Sequence, residues 1–264
     1  MAGKRSRTFV VGFLAGLALV AVGVVGASRL KQKDPDQQQQ YRAELADATP
    51  VQHGQITDNQ RIHGRLYANY RQRMIGGSIS DIVARANDKS PKERMLGVEL
   101  MVGTSQLLTE SESASEYFGR LARLSDAVVR GTVVKKVSQV TEDDGFVFTD
   151  YELEVKEVLK NTGKVSLNTG SVITITRPGG KIVEDGIILK VTDHANAPLP
   201  LNRDVVLFLQ QIQETGAYKA TSSTAAFELR ESSVRPLTEE QFPPGVLDGD
   251  VDSFLRAARD ASIK

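Results

Sequence analysis

From Thr8 to Ala27 the chain reads TFVVGFLAGLALVAVGVVGA, twenty residues without a charge. At about 1.5 Å per residue, such a run covers the roughly 30 Å of a bilayer's hydrocarbon layer, so it predicts a membrane helix. Lys4, Arg5 and Arg7 precede it; Arg29, Lys31 and Lys33 follow. The flanks nearly balance, and the basic N-terminus favours a cytoplasmic start. The expected location is the cell membrane, single-pass, with the body outside the cytoplasm. A signal peptide is the alternative. Val25-Gly26-Ala27 fits a small-residue cleavage site, and cleavage after Ala27 gives a secreted or periplasmic protein. Gly12 and Gly16 share a helix face at a spacing that lets two such helices pair as a homodimer.

Residues 28–58 carry Asp34-Pro35-Asp36, the glutamine run 37–40 and few large apolar side chains, a pattern read as a disordered tether. From 59 to 125 the period becomes helical, with Ile62, Leu66, Tyr70 and Met74 as one apolar stripe ended by Gly76-Gly77. Ser78 or Ser80 caps a helix bearing Ile79, Ile82, Val83 and Ala86 on one side. Ser90-Pro91-Lys92-Glu93 and Ser113-Ala114-Ser115-Glu116 are capping boxes, the second opening a helix with Tyr117, Leu121 and Leu124 buried.

At Ala127 the period changes to two. Ala127 to Val133 alternate, and Glu142-Asp143-Asp144-Gly145 makes a solvated turn. In Phe146–Lys160 the apolar face shifts between Phe148 and Tyr151 and again between Val155 and Val158, each as a bulge would shift it. Val172–Thr176 is a further strand, closed by the turn Arg177-Pro178-Gly179-Gly180. Asp185-Gly186 marks a hairpin, and the unbroken run Val205–Leu209 marks a central strand. Tyr218–Ala220 and Phe227–Leu229 complete the set. A domain over 126–237 is therefore expected to be a small antiparallel barrel or sandwich. Residues 238–264 end in a helix with Phe254, Leu255 and Ala258 on its buried face. The predicted class is α+β: membrane helix, helical arm, barrel or sandwich, C-terminal helix.

Thirty-three basic and thirty-three acidic residues cancel, and cysteine is absent. Segment charges run +3 over 1–27, +2 over 28–125, −2 over 126–235 and −3 over 236–264. A barrel that is net acidic lacks the basic groove of a nucleic-acid binder, so that partner class is excluded. Without thiols there is no disulfide framework and no cysteine nucleophile.

Asp248-Gly249-Asp250-Val251-Asp252 opens like a calcium loop, but Ser253 and Arg259 stand where glycine and glutamate are needed, so it reads as a helix cap. Ser28-Arg29-Leu30-Lys31 has the spacing of a serine–lysine pair in unsuitable surroundings. The region 176–180 lacks the helix a phosphate loop requires. It leaves Arg177 and Lys181 as surface-site candidates. His53 and His63 read as solvated, and His194 beside Asp193 makes a further candidate pair. No catalytic, metal or cofactor constellation is expected.

The segments SDAVVRGTV (125–133), FVFTDYELEVKEVLKN (146–161), VITITRPGG (172–180), DVVLFL (204–209) and DSFL (252–255) resemble a family of exported bacterial proteins found notably in soil Acidobacteria. That family has no established activity, so the resemblance carries over no functional residues. The β region also resembles oligomer-binding (OB) or netrin-like barrels, without the cysteines of netrin-like inhibitors. The expected function is a membrane-anchored, non-enzymatic binding module for an envelope protein or glycan. The alternative is an exported hydrolase using Asp150 or Asp193 with His194.

Overall fold

The computed structural model describes residues 35–52, 56–73, 77–89, 98–102 and 112–263. The expected membrane helix Thr8–Ala27 with Gly12 and Gly16, His53, Met74 and the box at Ser90–Glu93 lie outside the described residues. Among the described residues, no helix is long and apolar enough to cross a membrane. The chain divides into two compact units, residues 1–46 and 47–264.

The element described in the first unit is α1, Pro35–Asp47, whose last residue already belongs to the second. It corrects the expectation of a disordered tether across that stretch. Glutamine, alanine, leucine and glutamate all form helix readily, and Pro35 sits in the first turn, where its missing N–H costs nothing.

The second unit runs through β1 (Thr49–Pro50), α2 (Asp58–Leu66) with a 3-10 turn at Ala68–Arg73, α3 (Ile79–Asn87), β2 (Val98–Val102) and α4 (Ala114–Leu124). The strands β3 (Ala127–Val140), β4 (Val147–Asn161), β5 (Val172–Pro178), β6 (Gly180–Glu184), β7 (Ile187–Asp193), β8 (Asp204–Gln211), β9 (Tyr218–Ala220), β10 (Ala226–Leu229) and β11 (Val234–Pro236) follow, then α5 (Val251–Ile263). The fold is mixed α+β around a closed five-stranded barrel. Its strands neighbour one another in the order β8-β3-β4-β5-β9, and β9 returns to β8 to close the ring. β5 and β9 are parallel, whereas β9 meets β8 antiparallel. β10 and β11 extend the sheet beyond β8.

Val205–Leu209 is apolar throughout because both of its faces are covered. Val205, Leu207 and Leu209 fill the barrel with Val129, Leu153, Ile175 and Tyr218. Val206 and Phe208 point outward and pack with Tyr117, Phe118, Phe227, Phe254 and Leu255 from α4, β10 and α5. At about 1.5–3 kcal/mol for each large apolar side chain buried, this second layer contributes as much as the interior. The box at Ser113 and Glu116 forms as predicted, as does the cap at Ser78. Asp250 accepts from the Ser253 amide at 2.8 Å, the capping role expected of it.

Two corrections concern the hairpin β6–β7. It turns at Asp185-Gly186, both at positive φ, but it belongs to a second sheet of order β1-β6-β7-β2. β1 and β2 join this sheet in parallel from the regions read as tether and helical arm. The sheet and α3 cover the β3–β4 hairpin end in a third core with Ile79, Ile82, Val83, Phe146, Val147 and Phe148. That cover explains the first face shift on β4. Register is regular from Phe148 to Tyr151, and the outer face is apolar there because it is buried. The second shift is a register break, where Gly131 pairs Val155 while Arg130 pairs Glu157. The hairpin tip is not merely solvated either. Asp144 accepts from Ile79 and Ser80 at the start of α3.

Gly131 lies at that register break. A Cβ there would stand 2.5 Å from the Glu154 carbonyl oxygen, a backbone atom that cannot step aside. Gly131→Ala is therefore expected to destabilise the protein by about 2–3 kcal/mol, read from the urea midpoint. Asp204 at the start of β8 is half-buried, which alone would raise its pKa. Hydrogen bonds from Lys156 (2.6 Å), Thr132 (2.8 Å) and Arg130 (3.0 Å) outweigh this and hold the carboxyl below its ordinary range. A depressed folded pKa gives stability that is present above the unfolded value of about 3.9 and lost as pH falls below it. Asp204→Asn should cost about 1–3 kcal/mol at pH 7, and the gap to the parent should shrink as urea titrations move below pH 4.

Candidate functional site

The side chains with most chemistry meet where α2 lies against the barrel. Thr57 caps α2, its side chain accepting from the Gln60 amide while Gln60 reaches back to the Thr57 amide. From that start, His63 and Gly64 turn toward β4, followed by Tyr67 just beyond the helix. This corrects two expectations. The buried face is His63, Gly64 and Tyr67, whereas Leu66 is exposed; and His63, read as solvated, is only 1% exposed.

The imidazole bridges two parts of the barrel. Its Nδ1 stands 2.9 and 3.0 Å from the two Asp150 carboxylate oxygens on β4. Its Nε2 stands 3.0 Å from Thr215 Oγ1 in the β8–β9 turn. A carboxylate only accepts, so Nδ1 carries a proton and donates to Asp150. Nε2 then accepts from the Thr215 hydroxyl in the neutral ring. Thr215 Oγ1 also accepts from the Ala217 amide at 3.3 Å, and Gln139 Nε2 donates to Asp150 at 3.3 Å. Hydroxyl, imidazole and carboxylate stand in the order that activates a nucleophile in acyl-transfer enzymes. The neighbouring amides are committed elsewhere, however: Thr215 N and Gly216 N both donate to Ile212 O.

Around this chain the contacts are aromatic. Tyr67 stacks on Phe148 at 5.8 Å, and Tyr70 lies 4.8 Å from Phe146, centroid to centroid. The Tyr67 hydroxyl faces Thr176 on β5, and burial raises its pKa well above the tyrosine range, with the Asp150 charge adding to the effect. At the rim, Arg61 Nε donates to Glu142 at 3.2 Å.

Arg177 corrects the surface expectation most sharply. It follows Ile173 and Ile175 at alternate positions of β5, so it points inward and is 1% exposed. Its Nη2 donates to the Leu237 carbonyl at 3.3 Å, while Nε and Nη1 have no hydrogen-bond partner among the described residues. Burial lowers its pKa, and the nearby Tyr151, Tyr67 and Asp193 oppose that. Asp193, also buried, accepts from the Tyr70 hydroxyl (3.0 Å), Asn196 Nδ2 (2.9 Å) and the Ala195 amide (3.0 Å).

The remaining candidates separate. Lys181 pairs with Asp47 at 2.8 Å, sharing that carboxylate with Lys136. His194 turns away from Asp193 and binds Glu239 at 2.7 Å. The expected pairing of His194 with Asp193 or Asp150 therefore does not form; Asp150 meets His63 instead. No protein-family model matches the chain, and no curated protein matches it. Among the described residues, no three His, Asp or Glu side chains converge closely enough to hold a metal ion.

The spacing of His63, Tyr67 and Tyr70 at i, i+4 and i+7 was the signal for the buried face, in competition with Ile62 and Leu66. The parity of Ile173, Ile175 and Arg177 was the signal for the buried guanidinium. Removing the imidazole strands a half-buried carboxylate, so His63→Ala should cost about 2–3 kcal/mol in urea unfolding. Thr215→Val should cost about 1 kcal/mol. The double variant should fall short of the sum by about 0.5 kcal/mol or more, since both act on one hydrogen-bonded chain; strict additivity would contradict the network.

Proposed function

We propose that the protein is a non-enzymatic binding module of OB-like architecture, held outside the cytoplasm by Thr8–Ala27 and recognising an envelope protein or glycan. The observation that carries this reading is the barrel's strand order. Numbered along the barrel, the strands close as first-second-third-fifth-fourth, with third and fifth parallel. That is the arrangement of oligomer-binding barrels, whose second and third strands and flanking loops form a ligand surface. The likeness to exported bacterial proteins, and the charge-free run preceding the body, support the location.

The face between those loops carries Asp150 and Glu142 and has its aromatics stacked on one another, an unfavourable surface for a polyanion. A protein or neutral glycan fits it better than nucleic acid. The body spanning 35–264 should bind an isolated bacterial envelope fraction saturably in a sedimentation assay, with the bound amount insensitive to added single-stranded DNA. Absence of saturable binding, or displacement by DNA, would overturn the reading.

A second reading, an exported hydrolase, is favoured by the Thr215–His63–Asp150 order. It requires Thr215 to be acylated or phosphonylated. A fluorophosphonate probe should then label the chain, and labelling should vanish in Thr215→Val and His63→Gln. An unlabelled parent removes this reading and leaves the network a structural one.

A further inference from the structure

The ligand surface of an oligomer-binding barrel spans its second and third strands, between the first–second and fourth–fifth loops. In this chain those parts are β4, β5, the turn 141–146 and the turn 212–217. Residues 58–73 touch all four. Arg61 binds Glu142, and a Cβ at Gly64 would stand 3.5 Å from both Thr141 and Phe148. His63 binds Asp150 on β4 and Thr215 in the second turn. Tyr67 stacks on Phe148 and sets its hydroxyl beside Thr176 on β5.

These contacts have the composition of an interface more than of a core. A charged rim pair flanks one imidazole with two polar partners and one tyrosine with aromatic neighbours, as at binding hot spots. α2 has nine residues, and isolated helices shorter than about 12 residues are marginal in water. The helix therefore owes its form to the surface beneath it. Its exposed side carries Asp58, Asn59 and Arg65 beside Leu66.

We propose that residues 58–73 are a resident ligand: the β4–β5 face is a docking site for a helical peptide and is occupied in cis by the chain's own α2. The proposal rests on the OB-like reading above and names its partner class. The external partner is a protein helix that presents a cation, an imidazole two residues on and a tyrosine four residues after that, the chemistry of Arg61, His63 and Tyr67. Such a partner must displace α2, whose covalent attachment keeps weak ligands out through its high effective concentration.

The probe is the synthetic peptide of residues 57–73 with a fluorophore at its N-terminus, titrated against the full chain in detergent or nanodiscs. The wild-type chain, already filled, should bind it weakly. A chain carrying His63→Gln, whose face is unaltered but whose own ligand is impaired, should bind it at least tenfold more tightly. A peptide carrying His63→Gln should show no such gain. If circular dichroism shows that the His63→Gln chain is unfolded, Arg61→Ala, which removes the rim contact to Glu142 and the pair with Asp58 on the same helix, takes its place with the same expectation of tighter binding. A folded variant that binds the peptide no better than wild type overturns the proposal. The envelope sedimentation assay separates this from the parent reading. Peptide capture without envelope binding upholds the docking site and sinks the envelope partner; envelope binding without peptide capture does the reverse.

Discussion

Barrel closure is the constraint on which the rest depends, and it falls to three residues. Tyr218–Ala220 pairs with β5 on one side and β8 on the other, and without it the sheet has two open edges. A five-stranded ring is tight, so the long β3–β4 pair must bend, and it does so at its register breaks and at Gly131, where the strands approach too closely for a side chain. Once the ring is closed, inward parity is forced. It seats Leu153, Ile175 and Leu207 in the interior and carries Arg177 in with them. A guanidinium in that place is expensive to desolvate. The nearby Asp193 charge, itself held by Tyr70 and Asn196, offsets part of that cost.

Closure also decides which outer surfaces remain to be covered. The β8 side is sealed by α4 and α5 through an aromatic layer in which Phe118, Phe227 and Phe254 meet edge to face or tilted. The β4–β5 side is covered differently, by a short polar helix whose hold is a hydrogen-bond chain and two tyrosines. The first kind of cover is non-directional and hard to exchange. The second depends on a few partners in particular geometry, and any helix offering the same partners meets the same surface. The hydroxyl–imidazole–carboxylate order belongs to this cover. Its imidazole is buried, and the amides of Thr215 and Gly216 are committed to the Ile212 carbonyl.

Local chemistry was legible in the sequence. The boxes at Ser113 and Ser78 set helix starts, Asp185-Gly186 set a hairpin, and the unbroken Val205–Leu209 run announced a strand buried on both sides. What escaped was non-local. β1 and β2 are strands because β6 and β7 lie beside them, and two or five residues carry too little pattern to declare that alone. His63 looked solvated because its partners are 87 and 152 residues away. Arg177 has the charge of a surface residue, whereas the alternation of β5 places it inside. The face change at Phe148 has the pattern of a bulge, but it arises because a second layer buries the outer side.

The most direct test of the account is native-state hydrogen exchange of the intact chain across a low urea series. If α2 is a resident ligand on an independently closed barrel, the amides of residues 61–67 should exchange through a local opening of low free energy. Those of β3, β4 and β8 should stay protected until global unfolding. Exchange of α2 only together with the barrel strands, at the same free energy and the same urea dependence, would contradict it and make the helix an inseparable part of the core.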